Sequence, residues 1–198
     1  IEDLGEETPS EAEGSSTFVS FLRQGFVHVL PLGLDHILFV LGIFMLSRKF
    51  RPLILQVSVF TVAHTITLAL ATLGMVSAPS DWVEPIIALS IAIVALENVF
   101  FPGYRPNRLL VVFVFGLIHG LGFAGALSAF SLDPTSLAVG LFGFNLGVEF
   151  GQIAVLLLAF GATFWIREEK TYCKYVVIPG SLMIAAAGIY WTIERIFF

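Results

Sequence analysis

The feature that most constrains this chain is the length of its uncharged apolar runs. From Leu53 to Gly74 it reads LILQVSVFTVAHTITLALATLG, without one Asp, Glu, Lys or Arg. A run of about 20 such residues is what a helix needs to cross the hydrocarbon of a bilayer, and runs of this kind recur to the C-terminus. Composition agrees: 57% of the 198 residues are hydrophobic and 13% charged, against about half and a quarter in soluble domains. The chain therefore reads as a polytopic integral membrane protein. The runs are too continuous for barrel strands, which alternate, and lipid leaves the helix as the other way to satisfy the backbone.

Hydropathy divides the chain into about six segments, near 17–46, 52–74, 82–101, 107–130, 134–166 and 175–197. The expected fold is an all-α membrane bundle in one domain, 17–198. Residues 1–16, with Glu2, Asp3, Glu6, Glu7, Glu11 and Glu13 among Ser, Gly and Pro, read as a disordered, solvated acidic tail or linker. The first segment is too long for one straight span, and Pro31 and Gly33 interrupt it. This predicts a kink there, with an outer piece lying near the interface.

Basic residues orient the bundle. Arg48, Lys49, Arg51, Arg105, Arg108, Arg167, Lys170 and Lys174, eight of the ten Lys and Arg, fall in or beside alternate loops. The positive-inside rule puts those loops in the cytoplasm and both termini outside. Charge sorted by depth in this way gives no reason to expect a nucleic-acid partner. The single cysteine, Cys173, excludes an internal disulfide and a paired-thiol metal site.

Ionisable residues inside apolar spans are costly and tend to mark function. At 1.5 Å per residue, His36, His64 and His119 all fall roughly 15–18 Å from the cytoplasmic ends of their helices. Asp35 adjoins His36. Asn145 and Glu149 share a face of the fifth span and are placed somewhat higher, while His28 lies near the outer surface. A lone intramembrane His is usually a hydrogen-bonding residue between helices; that explanation must be repeated four times here, and for Asp35 and Glu149 as well. A divalent ion accounts for the set together, since neutral imidazoles with a carboxylate bind Zn, Ni and Co alike. Asp35 serves either as a ligand or as an orienting partner for a His ring. Gln152 belongs near the pathway. Glu97 and Asn98, with Gln56 and Ser58, are placed to line an exit. Glycines around His119 (Gly116, Gly120, Gly122, Gly125) and on the fifth span (Gly143, Gly147, Gly151) suit close helix packing. VFTVAHTITLALA and VFGLIHGLGFAGA form a faint parallel echo.

The segments HVLPLGLDHILFVLG, FTVAHTITLALATLG, VEPIIALSIAIVALEN, FGLIHGLGFAGAL and FNLGVEFGQ together resemble the HupE/UreJ family of hydrogenase and urease accessory membrane proteins. They are most similar to its branch with an extracytoplasmic N-terminal extension. The resemblance runs from Phe18 to the C-terminus, and His28, Gly33, Asp35 and His36 fall on the family's histidine motif. It implies nickel or cobalt handling by a small permease, in the inner (cytoplasmic) membrane of a bacterium.

The expected function is thus transport of a divalent ion, Ni, Co or Zn, collected by His28 and held by Asp35, His36, His64 and His119, with Glu149 beside them. The alternative is a zinc-dependent intramembrane hydrolase acting on a lipid or lipid-anchored substrate, with Asp35 or Glu149 as general base. A metal sensor or structural metalloprotein is a third class. The expected partners are the bilayer and the ion, with room for a second copy of the chain and for an extracytoplasmic domain upstream of Ile1.

Overall fold

The computed structural model describes the backbone of residues 9–101, 107–128 and 134–198, and the side chains of 17–101, 107–123 and 135–198 within them. The described residues form helices and connecting turns, with no strand among them. In chain order they are α1 (Pro9–Val29), α2 (Leu34–Leu46), α3 (Phe50–Thr72), α4 (Ser80–Phe100), α5 (Asn107–Ser128), α6 (Pro134–Thr163), α7 (Glu169–Tyr172), a π-helical turn (Cys173–Val177) and α8 (Ile178–Phe197). Helix bounds follow the hydropathy segments to within a few residues except at the start of α1. It begins at Pro9, inside the stretch expected to be a tail. The carboxylates of that stretch lie outside the described residues, as do Arg105, the surroundings of Gly125, and the segment 129–133 after α5.

Four helical stretches are long and apolar enough to cross a membrane, and α1 with α2 makes a fifth if the bent pair is counted as one span. The described apolar part of α5, Asn107–Phe123, is shorter.

The bend between α1 and α2 is 68°. Pro31 has no N–H to donate and cannot continue α1. The chain turns over Leu30–Gly33, with Gly33 N–H bonding to Val29 O and Ile37 N–H to Gly33 O to start α2. Gly33 passes so close to His28 O that a β-carbon there would overlap it. The turn thereby folds the end of α1 onto the first turn of α2.

The first piece, expected near the interface, has a packing partner within the bundle. α1 runs alongside α6 and parallel to it. Gly143 meets Phe18, Gly147 meets the Leu22 carbonyl and Gly151 meets Val29, while Gly25 meets the Phe144 carbonyl. Without β-carbons at these positions the two backbones touch, so α1 is held within the bundle. α3 and α5 pair the same way, Gly116 on Phe60 and Gly120 on His64. The two halves of the sequence echo are therefore neighbours running in parallel. α8 packs antiparallel to α4, with Gly188 against Ala88 and Ala92. Phe39, Phe44, Phe60, Phe144, Ile43 and Leu156 fill the space between the pairs.

Candidate metal centre

The α1–α2 turn carries a site directly. It brings His28, in the last turn of α1, to 4.8 Å from His36, in the first turn of α2, ring centroid to ring centroid. α3 adds His64, 5.9 Å from His36 and 6.4 Å from His28. α5 adds His119, 5.2 Å from His36. Four histidines from four helices thus meet. One ring nitrogen each from His28, His36 and His64 lie within 4.8 Å of one another, a spacing a single ion could bridge.

Hydrogen bonding decides which nitrogens are available. Asn145 donates its Nδ2–H to Leu141 O, which turns its Oδ1 toward His64 Nδ1 at 3.1 Å. An amide oxygen only accepts, so His64 carries its proton on Nδ1 and has a bare lone pair on Nε2. Ser90 lies 2.7 Å from Ile87 O, to which its hydroxyl donates, and 3.1 Å from His119 Nε2. His119 Nε2 is then the donor to Ser90 Oγ, and its Nδ1 keeps the lone pair. The ring nitrogens left buried without a partner are His28 Nε2, His36 Nε2, His64 Nε2 and His119 Nδ1. Buried polar atoms are nearly always satisfied. A set of them on converging imidazoles fits a divalent cation, for which neutral imidazole is a favoured ligand.

The cluster opens into a cavity of about 910 Å³. Its walls include Arg23 and Gln24 of α1, Asp35 of α2, Glu84 of α4, Phe123 of α5 and Arg195 of α8. His28, His36 and His119 form its inner end.

Several residues named from sequence lie elsewhere than expected. Asp35 does not turn to the imidazoles. Both its oxygens accept from Arg195 Nη2, at 3.0 and 3.2 Å, and Arg195 also donates to Glu84 O and lies over Trp191. Neither Asp35 nor Glu149 is part of the three-histidine group. Glu149 accepts from Ser58 and Thr61, about two turns and one turn respectively toward the N-terminal end of α3 from His64. It therefore lies on the far side of His64 from the cavity and not above it, because α6 descends from Asn145 to Glu149 as α3 rises. Gln152 joins Glu149 through Thr61.

Of the four residues expected to line an exit, Ser58 bonds to Glu149 instead, and Gln56, Glu97 and Asn98 are tied together by Arg108, which is 1% exposed. Its guanidinium donates to Gln56 Oε1, Glu97 Oε2, Asn98 Oδ1 and Gly42 O. Asn98 in turn donates to Gly42 O and to Ser181. This knot joins α2, α3, α4, α5 and α8 at the end of the bundle away from the cavity. Ser90, Glu84, Arg108 and Arg195 are thus site or pathway neighbours that sequence reading did not single out. Each is recognisable only once the helices are paired.

Compared with known proteins, the chain matches the family model described as HupE / UreJ protein over residues 5–195. The chain belongs to the HupE/UreJ family. No curated protein and no solved structure matches it. For this HupE/UreJ protein, the five motif segments read from sequence now have places, VEPIIALSIAIVALEN being most of α4. HVLPLGLDHILFVLG is the α1–α2 turn with two of the imidazoles. FTVAHTITLALATLG and FGLIHGLGFAGAL are the paired α3 and α5 with the other two. FNLGVEFGQ is the α6 face bearing Asn145, Glu149 and Gln152.

Proposed function

We propose that this HupE/UreJ protein carries a divalent metal ion of the nickel, cobalt or zinc type across a bacterial cytoplasmic membrane. The bundle then crosses six times, with α1 and α2 as one broken span, both termini outside and the basic loops inside. The ion is the substrate. It enters from the outer side through the cavity, is bound by His28, His36 and His64 with His119 alongside, and leaves past the Arg108 knot. The observation that carries the reading is the convergence of unpartnered imidazole nitrogens at the inner end of an open cavity. Asn145 and Ser90 act on the ion only through the rings whose protons they position.

The hydrolase alternative draws less support from the geometry. Asp35 is paired with Arg195, and Glu149 is engaged by hydroxyls on the far side of His64. Each carboxylate is thus held by partners of its own, which leaves neither free to serve as a general base without first giving them up.

Titration of the purified protein in detergent with nickel, cobalt and zinc salts, read by calorimetry, tests the site. Saturable binding is expected, lost in His36→Ala and His64→Ala. Uptake of radioactive metal into proteoliposomes then tests transport. Firm metal binding with no time-dependent uptake would defeat the transport reading, and no binding of any of these ions would defeat the site.

A further inference from the structure

Glu149 is a carboxylate midway along α6 with no basic partner. Among the described residues the ion pairs are Arg108–Glu97 and Arg195–Asp35, and neither involves it. Its surroundings are oxygen atoms. Ser58 Oγ lies 2.7 Å from Oε1, and Thr61 Oγ1 touches Oε2. Thr61 Oγ1 is also 3.2 Å from Gln152 Oε1 and 3.1 Å from Val57 O.

The proton count of this cluster does not close. With Glu149 ionised, only the Ser58 and Thr61 hydroxyls bring a proton, one each. Thr61 has three oxygen neighbours and can donate to one of them, so two close oxygen pairs have no hydrogen between them. Gln152, which is 0% exposed, turns its oxygen into the cluster and leaves its Nε2 buried without a partner. Oxygens facing inward without enough protons to join them are the arrangement a cation requires.

We propose that Glu149, Ser58, Thr61, Gln152 and the Val57 carbonyl form a binding site for a sodium ion, separate from the imidazole centre. Three features select that ion. The donors are all oxygen, which suits a hard cation, whereas the imidazoles suit a transition metal. The site holds one negative charge, which a monovalent ion neutralises and a divalent ion would overshoot in a medium that penalises net charge. The oxygens already approach one another to hydrogen-bond distance, which suits sodium better than the larger potassium. The site stands one helical turn from the metal centre on both of its helices. Thr61 and His64 are neighbours on α3, and Asn145 and Glu149 are neighbours on α6. Occupancy is thereby felt at His64 through Asn145, as a coupling ion in a transporter requires. The site itself does not depend on the metal reading.

Binding of ²²Na⁺ to the purified full chain in detergent, in choline buffer, tests the proposal by scintillation proximity. Saturable binding is expected, displaced by NaCl and not by KCl, absent in Glu149→Gln and weakened in Thr61→Val. Both variants should still bind cobalt, which shows that they are folded. Sodium should also slow modification of Glu149 by dicyclohexylcarbodiimide, where potassium does not. No saturable ²²Na⁺ binding by the wild-type protein overturns the proposal; the Gln152 amide would then be turned with its NH₂ toward Thr61 and Glu149 would carry a proton, closing the network without an ion. Carbodiimide modification indifferent to sodium overturns it equally. Sodium binding without cobalt binding would defeat the metal centre and leave this site standing, and the reverse result would do the opposite.

Discussion

A histidine ligates through a nitrogen that carries no proton, and for His64 that choice is made by one amide. Asn145 Oδ1 accepts from Nδ1 and so directs the Nε2 lone pair toward His28 and His36. Asn145→Leu removes the acceptor and leaves the ring free to take the wrong tautomer. Loss of such an orienting partner costs a metal site about 10–100-fold in affinity; cobalt titration of the purified variant should show that loss with little change in Tm. Asn145→Asp, which still accepts from Nδ1, should recover most of the affinity. His28, expected near the outer surface, is brought to the other three by the α1–α2 turn, but all four imidazoles were readable as candidates because an ionisable side chain in an apolar span is conspicuous. The partners of Asp35 and Glu149 were not. Arg195 lies 160 residues beyond Asp35 and looks like an ordinary basic residue at a helix end. Ser58 and Thr61 look like ordinary small polar residues of a span. Helical spacing shows which residues share a face, and is silent on which face another helix covers.

Among the helices, α1 and α6 are the pair whose contact depends most on missing side chains. A β-carbon at Gly147 would overlap Leu22 O and crowd Phe26 N. Gly147→Val should therefore push α1 away, at about 1–3 kcal/mol, the usual cost of overpacking, and carry His28 out of register with His36 and His64. Thermal unfolding in detergent and cobalt titration should both report it. Gly161, on the same helix with nothing within 4 Å of its would-be β-carbon, is the control. Gly161→Ala should be neutral or stabilising by up to about 1 kcal/mol, since alanine favours a helix. The helices themselves, their bounds and the break at Pro31 follow from periodicity and from proline's missing donor. The pairing of α1 with α6 does not, because a glycine at four-residue spacing signals a close neighbour without naming it.

For the molecule as a whole, the bundle is open at one end and knotted at the other. Arg108 is fully buried, and Glu97, its ion-pair partner, is 25% exposed. Arg108→Gln leaves Glu97, Asn98 and Gly42 O without their guanidinium donor. A loss of about 3 kcal/mol is expected, as for other broken buried pairs, and should appear as a lower Tm and as leak of cobalt from loaded proteoliposomes. Orientation has its own test. Cys173, the one cysteine in the sequence, lies beside the basic turn before α8. A membrane-impermeant maleimide should label it from the cytoplasmic side alone, and Ser80→Cys, at the start of α4, from the outside alone. The reverse pattern would overturn the orientation on which the proposed direction of transport rests. The pairing of α1 with α6, and of α4 with α8, has one more consequence, for biosynthesis. A ribosome delivers α1 first, yet the surface against which its glycine-matched face closes emerges only after α5 has been made. Until then His28 has no fixed position, so a nascent or truncated chain cannot capture an ion. Under the proposed function, loading with metal waits for completion of α6.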